Sequence, residues 1–228
     1  MNVKIAPSIL AADQANLAAE VKRVEGAGAD MIHVDVTDGH FAPNISMGPD
    51  TVRSLRRITT LPLDVHLMIE VPGMFLESFL EVGSDIVTVH AEVVDEKKIL
   101  EFAKTVHSEG KRIGLALKPA TPIPSWFKSQ SRDLDLLLIL CVNPGFAGQK
   151  FMTHVLPKLH DAITFAGRGN GLEIEVDGGV DQTNAGLIAK SGASILVAGA
   201  SIFQRDDVEN ALRELRHEAE KATDEVPA

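Results

Sequence analysis

Imidazole and carboxylate side chains recur at alternate positions in several short apolar runs of the sequence. His33 and Asp35 alternate with aliphatic residues in the run IHVDV, and His66 does the same in LDVHL. Successive side chains of a β-strand point to opposite faces, so the polar groups of each run share one face. Four such groups stand toward the carboxyl ends of their predicted strands: His33, Asp35, His66 and Asp177. Together they form an N2O2 set suited to Zn²⁺, Fe²⁺, Mn²⁺ or Co²⁺.

A single His-x-Asp pair is weak support for a metal site, because a buried, hydrogen-bonded histidine is the commoner explanation. The prediction becomes stronger because several strands independently place such groups at the same end. In a parallel barrel, the carboxyl ends of the strands converge on the face that carries the active site.

The elements that must hold these groups alternate regularly between strand and helix. Strands are predicted at 3–8, 31–36, 63–68, 86–90, 113–117, 136–142, 172–177 and 195–198. Helix-like segments are predicted at 14–26, 49–57, 73–82, 96–109, 123–130, 151–166, 182–190 and 207–221. Such alternation indicates crossover units and a parallel sheet. We therefore predict a single-domain (β/α)8 TIM barrel over residues 1–221 with a disordered tail at 222–228, and a doubly wound open sheet as the alternative.

A weak repeat supports this division of the chain. A glycine, a small residue and then a strand recur at Gly28, Gly83 and Gly192. Each glycine is predicted to end a helix in a left-handed conformation before the chain turns into a parallel strand.

Glycine-rich loops follow three of the late strands, at 143–149, 177–180 and 198–200. Glycines allow backbone N–H groups to surround an anion, and phosphate sites in these barrels often follow strands seven and eight. The three loops together predict a phosphate site.

The composition excludes several classes of function. The chain has 228 residues, 45% of them hydrophobic, and a formal net charge of −10, which argues against binding to nucleic acid or an anionic membrane. The single cysteine, Cys141, is interpreted as a buried structural thiol. The sequence shows no signal peptide and no apolar run of roughly 20 residues, so a cytoplasmic protein outside the membrane is expected.

Over nearly its whole length, the sequence resembles the ribulose-phosphate 3-epimerase family. The matching motifs are APSIL at 6–10, HVD at 33–35, DGHF at 38–41, PNI at 43–45, DVHLM at 64–68, VNPGF at 142–146, GQKF at 148–151, VDGG at 176–179 and VAG at 197–199. The resemblance implies one divalent metal ion per chain, with Zn²⁺ the leading candidate, bound by the four residues named above. It also implies that Asp35 and Asp177 exchange protons at C3 of the substrate.

The remaining implications of the resemblance concern substrate and assembly. The reaction would interconvert D-ribulose 5-phosphate and D-xylulose 5-phosphate through an enediolate, in a homo-oligomer, either a dimer or a hexamer. Substrate contacts are implied for Ser8, His66, Met68, Gly145, Phe146, Ala147, Gly148, Asp177, Gly178, Gly179, Gly199 and Ala200.

Three residues near the predicted active face depart from the family pattern: Thr37 and Leu140 where methionine is usual, and Ala200 where serine or threonine is usual. Ala147 also resembles the related allulose-6-phosphate 3-epimerases, so a six-carbon substrate is the alternative. A sugar-phosphate-binding barrel without catalysis is a more distant one. A decarboxylase of the orotidine-phosphate type is set aside because its Asp-x-Lys-x-x-Asp arrangement is missing from the sequence.

Two further polar residues are expected near the barrel interior. Glu175 shares the face of Asp177 and needs a partner, for which Lys4 is the candidate. His90 ends the fourth strand, and its pattern leaves open whether it contacts the site.

Overall fold

The computed structural model describes residues 3–166 and 171–224. Its eight strands are β1 Lys4–Pro7, β2 Ile32–Thr37, β3 Leu63–Met68, β4 Ile86–His90, β5 Arg112–Leu117, β6 Leu136–Leu140, β7 Glu173–Asp177 and β8 Ile195–Ala198. The helices over this described part are α1 Leu17–Gly26, α2 Pro49–Arg56, α3 Leu76–Glu81, α4 Glu96–Ser108, α5 Phe127–Gln130, α6 Leu156–Ala166, α7 Ala185–Lys190, α8 Ala200–Phe203 and α9 Val208–Asp224.

The strands form one parallel sheet that curves into a barrel. From β2 to β8, each strand pairs with its neighbours in chain order, and β8 also pairs with β1. The ring closes between β1 and β2 through an isolated parallel bridge that joins Ser8 to His33. The predicted single-domain (β/α)8 barrel is confirmed, and the open doubly wound sheet is wrong.

The two faces of each strand separate the packing layer from the barrel interior. Val34 and Val36 point outward and join the core between strands and helices, whereas His33 and Asp35 point inward. The helices present matching apolar stripes: in α4, Ile99, Phe102 and Val106 are buried. Asp95 caps that helix by accepting a hydrogen bond from the backbone N–H of Lys98.

The three glycines of the sequence repeat have the predicted backbone. The φ angles are +88° at Gly28, +105° at Gly83 and +104° at Gly192. These values lie in the region that residues with a Cβ rarely adopt, so glycine permits the turn from each helix into the next strand.

The element boundaries differ from the predictions at several ends. Helices α1, α3, α5, α6 and α7 begin three to five residues later than predicted, because turns or single 3-10 turns precede them, and β6 ends at Leu140. The short α8 was not predicted. Helix α9 runs to Asp224, so the first three residues of the predicted tail are helical, and 225–228 lie outside the described residues. None of the helices in the described part of the chain combines the length and apolar character needed to cross a membrane.

Charged side chains fill the amino end of the barrel. Glu173 accepts from Lys4 Nζ at 2.6 Å and from the Arg112 guanidinium at 2.5 Å. The predicted pairing of Lys4 with Glu175 is therefore wrong. Glu173 and Glu175 face the same interior, but Glu175 lies one layer deeper, where its neighbours are His33 and Asp64.

Candidate active site

The four predicted metal-ligating residues meet at the carboxyl end of the barrel. His33 Nε2 lies 3.3 Å and His66 Nδ1 lies 3.1 Å from the same oxygen, Oδ1 of Asp35. With Asp177, each residue offers a ligand atom, and these atoms all lie within 4.8 Å of one another. The structure therefore brings together all four residues that strand alternation had placed at this end.

Strand register explains this convergence. In the β2–β3 ladder, His33 stands opposite Asp64 and Asp35 stands opposite His66. Asp177 ends β7 on the other side of the ring. Ligands from three strands that are far apart in the sequence therefore converge because the sheet curves into a barrel.

A second polar layer lies directly beneath the first. His33 Nδ1 is 2.6 Å from Oδ2 of Asp64 and 3.4 Å from Oε1 of Glu175, and all three side chains are fully buried. A carboxylate at 2.6 Å can only accept, so Nδ1 of His33 carries the hydrogen. In a neutral ring, Nε2 then has a free lone pair, and this buried atom has no hydrogen-bond partner.

The buried environment separates the properties of the carboxyl groups. Loss of hydration, reinforced by the charge of Asp35, raises the pKa of Asp177 to about 6. Burial alone would also raise the pKa of Asp35, but the neighbouring side chains of His33 and His66 outweigh it and lower that pKa. Burial, followed by the charge of Asp64, raises the pKa of Glu175 well above its ordinary value, which favours the neutral form of this side chain.

These observations fit a divalent cation. His33 Nε2 lies 3.3 Å from Asp35 Oδ1 without a hydrogen-bond partner, and Asp177 adds a second carboxylate to the same small volume. Acceptors crowded in this way repel one another unless positive charge lies among them. Nitrogen and oxygen donors in equal number suit Zn²⁺ and its first-row neighbours.

A cavity of about 610 Å³ opens above this cluster. Most residues predicted to contact substrate line it: Ser8, Met68, Gly145, Phe146, Ala147, Gly148, Asp177, Gly178, Gly179, Gly199 and Ala200. His66 differs from the others, since it is fully buried and does not line the cavity, although Asp35, which it contacts, does. Ser8 donates to Asp35 Oδ2 at 2.6 Å and so orients this carboxylate from the cavity side.

The glycine loops approach one another closely at the cavity wall. At Gly179 the φ angle is +69°, and an added Cβ would overlap the backbone of Phe151 in the neighbouring loop. Two side chains that the sequence analysis did not single out hold this loop: Asn184 donates to the carbonyl of Gly179 at 2.8 Å, and Ser201 donates to that of Val180 at 2.7 Å.

The three departures from the family pattern lie in different surroundings. Leu140 and Ala200 line the cavity. Thr37 is 4% exposed and does not line it, and its hydroxyl oxygen has no hydrogen-bond partner.

Sequence reasoning left the outer partners of the histidines unassigned. Asp64 and Glu175 contact His33, and His90 lies 2.8 Å from His66 through their Nε2 atoms. The alternation LDVHL already placed Asp64 on the face of His66, and HAE placed Glu92 two residues beyond His90. The signal was present, but only the register between strands shows which groups meet.

Comparisons with known proteins agree on one family. The model of the "Ribulose-phosphate 3 epimerase family" matches residues 4–203. A ribulose-phosphate 3-epimerase of Bacillus subtilis is 45% identical over 216 residues, covering 94% of this chain and 98% of the relative. One of Escherichia coli K12 is 38% identical, covering 97% of this chain and 98% of the relative.

Solved structures with lower identity share the fold. A 3-hexulose-6-phosphate synthase from Salmonella typhimurium aligns with a TM-score of 0.70 at 16% identity, covering 97% of this chain and 100% of that one. A 3-keto-L-gulonate-6-phosphate decarboxylase from Vibrio cholerae aligns with a TM-score of 0.69 at 16% identity, covering 97% and 99%.

Proposed function

Since the chain belongs to the ribulose-phosphate 3-epimerase family and is an epimerase acting on carbohydrates, we propose that it interconverts D-ribulose 5-phosphate and D-xylulose 5-phosphate with a bound divalent metal ion. One observation carries the proposal. Two carboxylates, Asp35 from β2 and Asp177 from β7, lie in one cluster with two histidines beneath a cavity walled by glycine loops. An epimerase that inverts C3 needs two proton-transferring groups at such a place.

Proton transfer is assigned to Asp35 and Asp177. One removes the hydrogen from C3 on one face of the sugar, and the other delivers a hydrogen to the opposite face of the planar enediolate. Their roles exchange with the direction of reaction. Their environments move the two pKa values in opposite directions, as an acid and base pair requires. Ser8 holds Asp35 in place through its hydrogen bond.

The metal would be held by His33 through Nε2, by His66 through Nδ1 and by the carboxylates of Asp35 and Asp177. Zn²⁺ is the leading candidate, with Fe²⁺, Mn²⁺ and Co²⁺ as alternatives. A divalent ion supplies positive charge close to the substrate oxygens that become negative when C3 loses its proton.

The phosphate group is assigned to the glycine loops at Gly145–Gly148, Gly178–Gly179 and Gly199–Ala200. These loops line the same cavity as the carboxylates, and glycine leaves their backbone N–H groups accessible to an anion. Backbone donors also explain how a chain with a net charge of −10 binds a phosphate ester.

The test is hydrogen exchange at C3 in deuterated water, followed by NMR on the ketose phosphate. We expect deuterium at C3 and formation of the epimer, both lost after treatment with a chelator and restored by Zn²⁺ or Co²⁺. A protein that only binds the sugar phosphate leaves C3 unlabelled, which would contradict the proposal. Comparing kcat/KM for ribulose 5-phosphate and allulose 6-phosphate decides between the five-carbon substrate and the six-carbon alternative.

We also propose a cytoplasmic location and a homo-oligomer, a dimer or a hexamer. A single buried cysteine favours a reducing compartment. Three exposed apolar side chains close together in the sequence, Val71, Met74 and Phe75, suit a contact between subunits. Light scattering after size-exclusion chromatography measures the assembly, and a monomer at micromolar concentration would contradict this part of the proposal.

A further inference from the structure

A chain of three side chains leads outward from the site: His66, His90 and Glu92. We propose that His90 and Glu92 are positioning residues, which fix the tautomer and ring orientation of His66 so that its Nδ1 presents a free lone pair beside Asp35. This inference rests on the proposed metal site, because the free lone pair serves the ion.

The contacts in the chain are short and continuous. His66 Nδ1 lies 3.1 Å from Asp35 Oδ1, and His66 Nε2 lies 2.8 Å from His90 Nε2. His90 Nδ1 lies 2.9 Å from Glu92 Oε2. Both imidazoles are fully buried, so water does not compete for these atoms.

Proton counting assigns every hydrogen in the chain. The Glu92 carboxylate only accepts, so His90 Nδ1 carries a hydrogen. A neutral His90 then has a bare Nε2, which accepts from His66 Nε2–H. With its hydrogen on Nε2, a neutral His66 keeps a lone pair on Nδ1. This lone pair faces Asp35 Oδ1, where two acceptors 3.1 Å apart need a cation close to both.

Glu92 is held so that its orientation does not drift. Its second oxygen, Oε1, accepts from the backbone N–H of Lys118 at 2.8 Å and from the hydroxyl of Thr121. The loop after β5 therefore fixes one end of the carboxylate and leaves the other to His90.

The ring of His90 is fixed by packing. Phe41 lies against it, with the ring centroids 4.5 Å apart. The Lys118 ammonium lies 3.5 Å from the centroid of the Phe41 ring. The ring planes of His66 and His90 differ by 25° and their centroids are 5.0 Å apart, so the rings lie nearly edge to edge with their Nε2 atoms facing each other. Rotation of either ring would break these contacts as well as the hydrogen bonds.

The other histidine of the site is held in an equivalent way. Asp64 accepts from Nδ1 of His33 at 2.6 Å, which leaves Nε2 free toward Asp35. Each histidine, in the neutral form that a bound ion requires, therefore donates outward to a partner and keeps a lone pair inward. Outer partners of this kind typically change metal affinity by about 10- to 100-fold when they are removed.

The decisive experiment compares His90→Phe with His90→Gln. Phenylalanine removes the acceptor for His66 Nε2–H, so we expect Zn²⁺ and Co²⁺ to bind to the metal-free protein roughly 10- to 100-fold more weakly by calorimetry. Glutamine offers a carbonyl acceptor and should recover part of the affinity. The visible absorption spectrum of bound Co²⁺ should change in His90→Phe, because it reports the ligand geometry independently of turnover.

Glu92→Gln and Thr121→Val separate the two ends of Glu92. The first variant should weaken metal binding, because its amide cannot serve both His90 and Lys118 as an acceptor. The second loses only the loop contact and should bind metal like the wild type. Nitrogen NMR with labelled histidine should show the hydrogen of His66 on Nε2 in the Zn²⁺-loaded wild type.

Thr88→Val is the matched control on the same strand. Thr88 lies two residues before His90, is fully buried, and its hydroxyl has no partner, so the variant should keep wild-type metal affinity. A wild-type protein that binds no divalent metal would overturn the proposed metal site itself. A wild type that binds metal, with folded His90→Phe and Glu92→Gln binding it equally tightly, would overturn this inference alone.

Discussion

Both ends of the barrel interior contain charged side chains, but acidic and basic side chains are paired only at the amino end. At the amino end, Glu173 lies between Lys4 and Arg112 at 2.6 and 2.5 Å. At the carboxyl end, Asp35 and Asp177 lie together in one cluster with His33 and His66. The same strand, β7, supplies Glu173 to the first arrangement and Asp177 to the second.

This difference separates charged groups that stabilise the fold from charged groups that serve the chemistry of the site. The amino end needs nothing from outside the chain, because each charge there has a partner. The carboxyl end retains a buried nitrogen with no partner and a carboxylate with a raised pKa, both of which cost free energy in the metal-free protein. Unbalanced groups of this kind are typical of sites that bind an ion or transfer a proton.

The largest expected effect comes from Asp177→Asn. We expect kcat to fall by roughly 10⁴-fold, because the amide neither removes nor delivers the C3 proton. The free energy of unfolding of the metal-free variant should not fall, since the variant removes repulsion from Asp35. Deuterium incorporation at C3 and urea denaturation measure the two effects. Normal turnover in Asp177→Asn would refute the assignment of this residue.

In the polar layer below the site, substitutions can compare a charged neighbour of His33 with a neutral one. Asp64→Asn should weaken binding of Zn²⁺ by roughly 10- to 100-fold, because His33 loses the carboxylate that fixes its tautomer. Glu175→Gln should bind the ion almost as the wild type does, because the raised pKa of Glu175 favours its neutral form, which an amide resembles in shape and charge. Calorimetry on the metal-free proteins compares them. Equal losses in both variants would show that Glu175 is charged.

The amino end should respond in stability and not in rate. Glu173→Gln leaves Lys4 and Arg112 without their shared carboxylate, so the free energy of unfolding should fall by about 1–2 kcal/mol while kcat stays unchanged. Burial acts to raise the pKa of Glu173, but Lys4 and Arg112 outweigh it and lower that pKa.

The pH dependence of this difference follows from the lowered pKa. A carboxyl group whose pKa is lower in the folded state stabilises the protein above its ordinary pKa, and that stabilisation is lost as the pH falls through the folded value. The difference in the free energy of unfolding between the wild type and Glu173→Gln should therefore become smaller as the pH falls. A difference that does not change with pH would mean that the ion pairs contribute little to stability.

The smallest expected effect comes from Thr37→Val. The hydroxyl of Thr37 is buried without a partner and does not line the cavity. Replacing it with a methyl group should raise the free energy of unfolding by about 1 kcal/mol and leave KM unchanged. Urea denaturation and steady-state kinetics test both statements. An increase in KM would show that the hydroxyl reaches the substrate.

Strand alternation was enough to predict the fold and the core of the site. The patterns IHVDV and LDVHL set which side chains point inward, and the parallel arrangement then set which ends meet. These rules use only local information, and they predict that His33, Asp35, His66 and Asp177 lie at one end of the barrel, where the structure brings them together.

The errors arose where distance across the ring mattered. Glu175 contacts His33 and Asp64 instead of Lys4, because strand stagger lifts Glu175 to a higher layer than Lys4 reaches. The link from His66 to His90 depends on ring orientation as well as register, which alternation does not encode. The four-residue helix α8 is too short for a periodic pattern to be visible.

The barrel is closed between its first two strands by the single bridge from Ser8 to His33, and these residues also belong to the site. The first two strands are thus joined by two residues that also take part in the proposed chemistry. An ion or sugar that draws Ser8, Asp35 and Asp177 together would tie the first strand to the rest of the ring. Binding of the reactants would therefore stabilise the folded barrel.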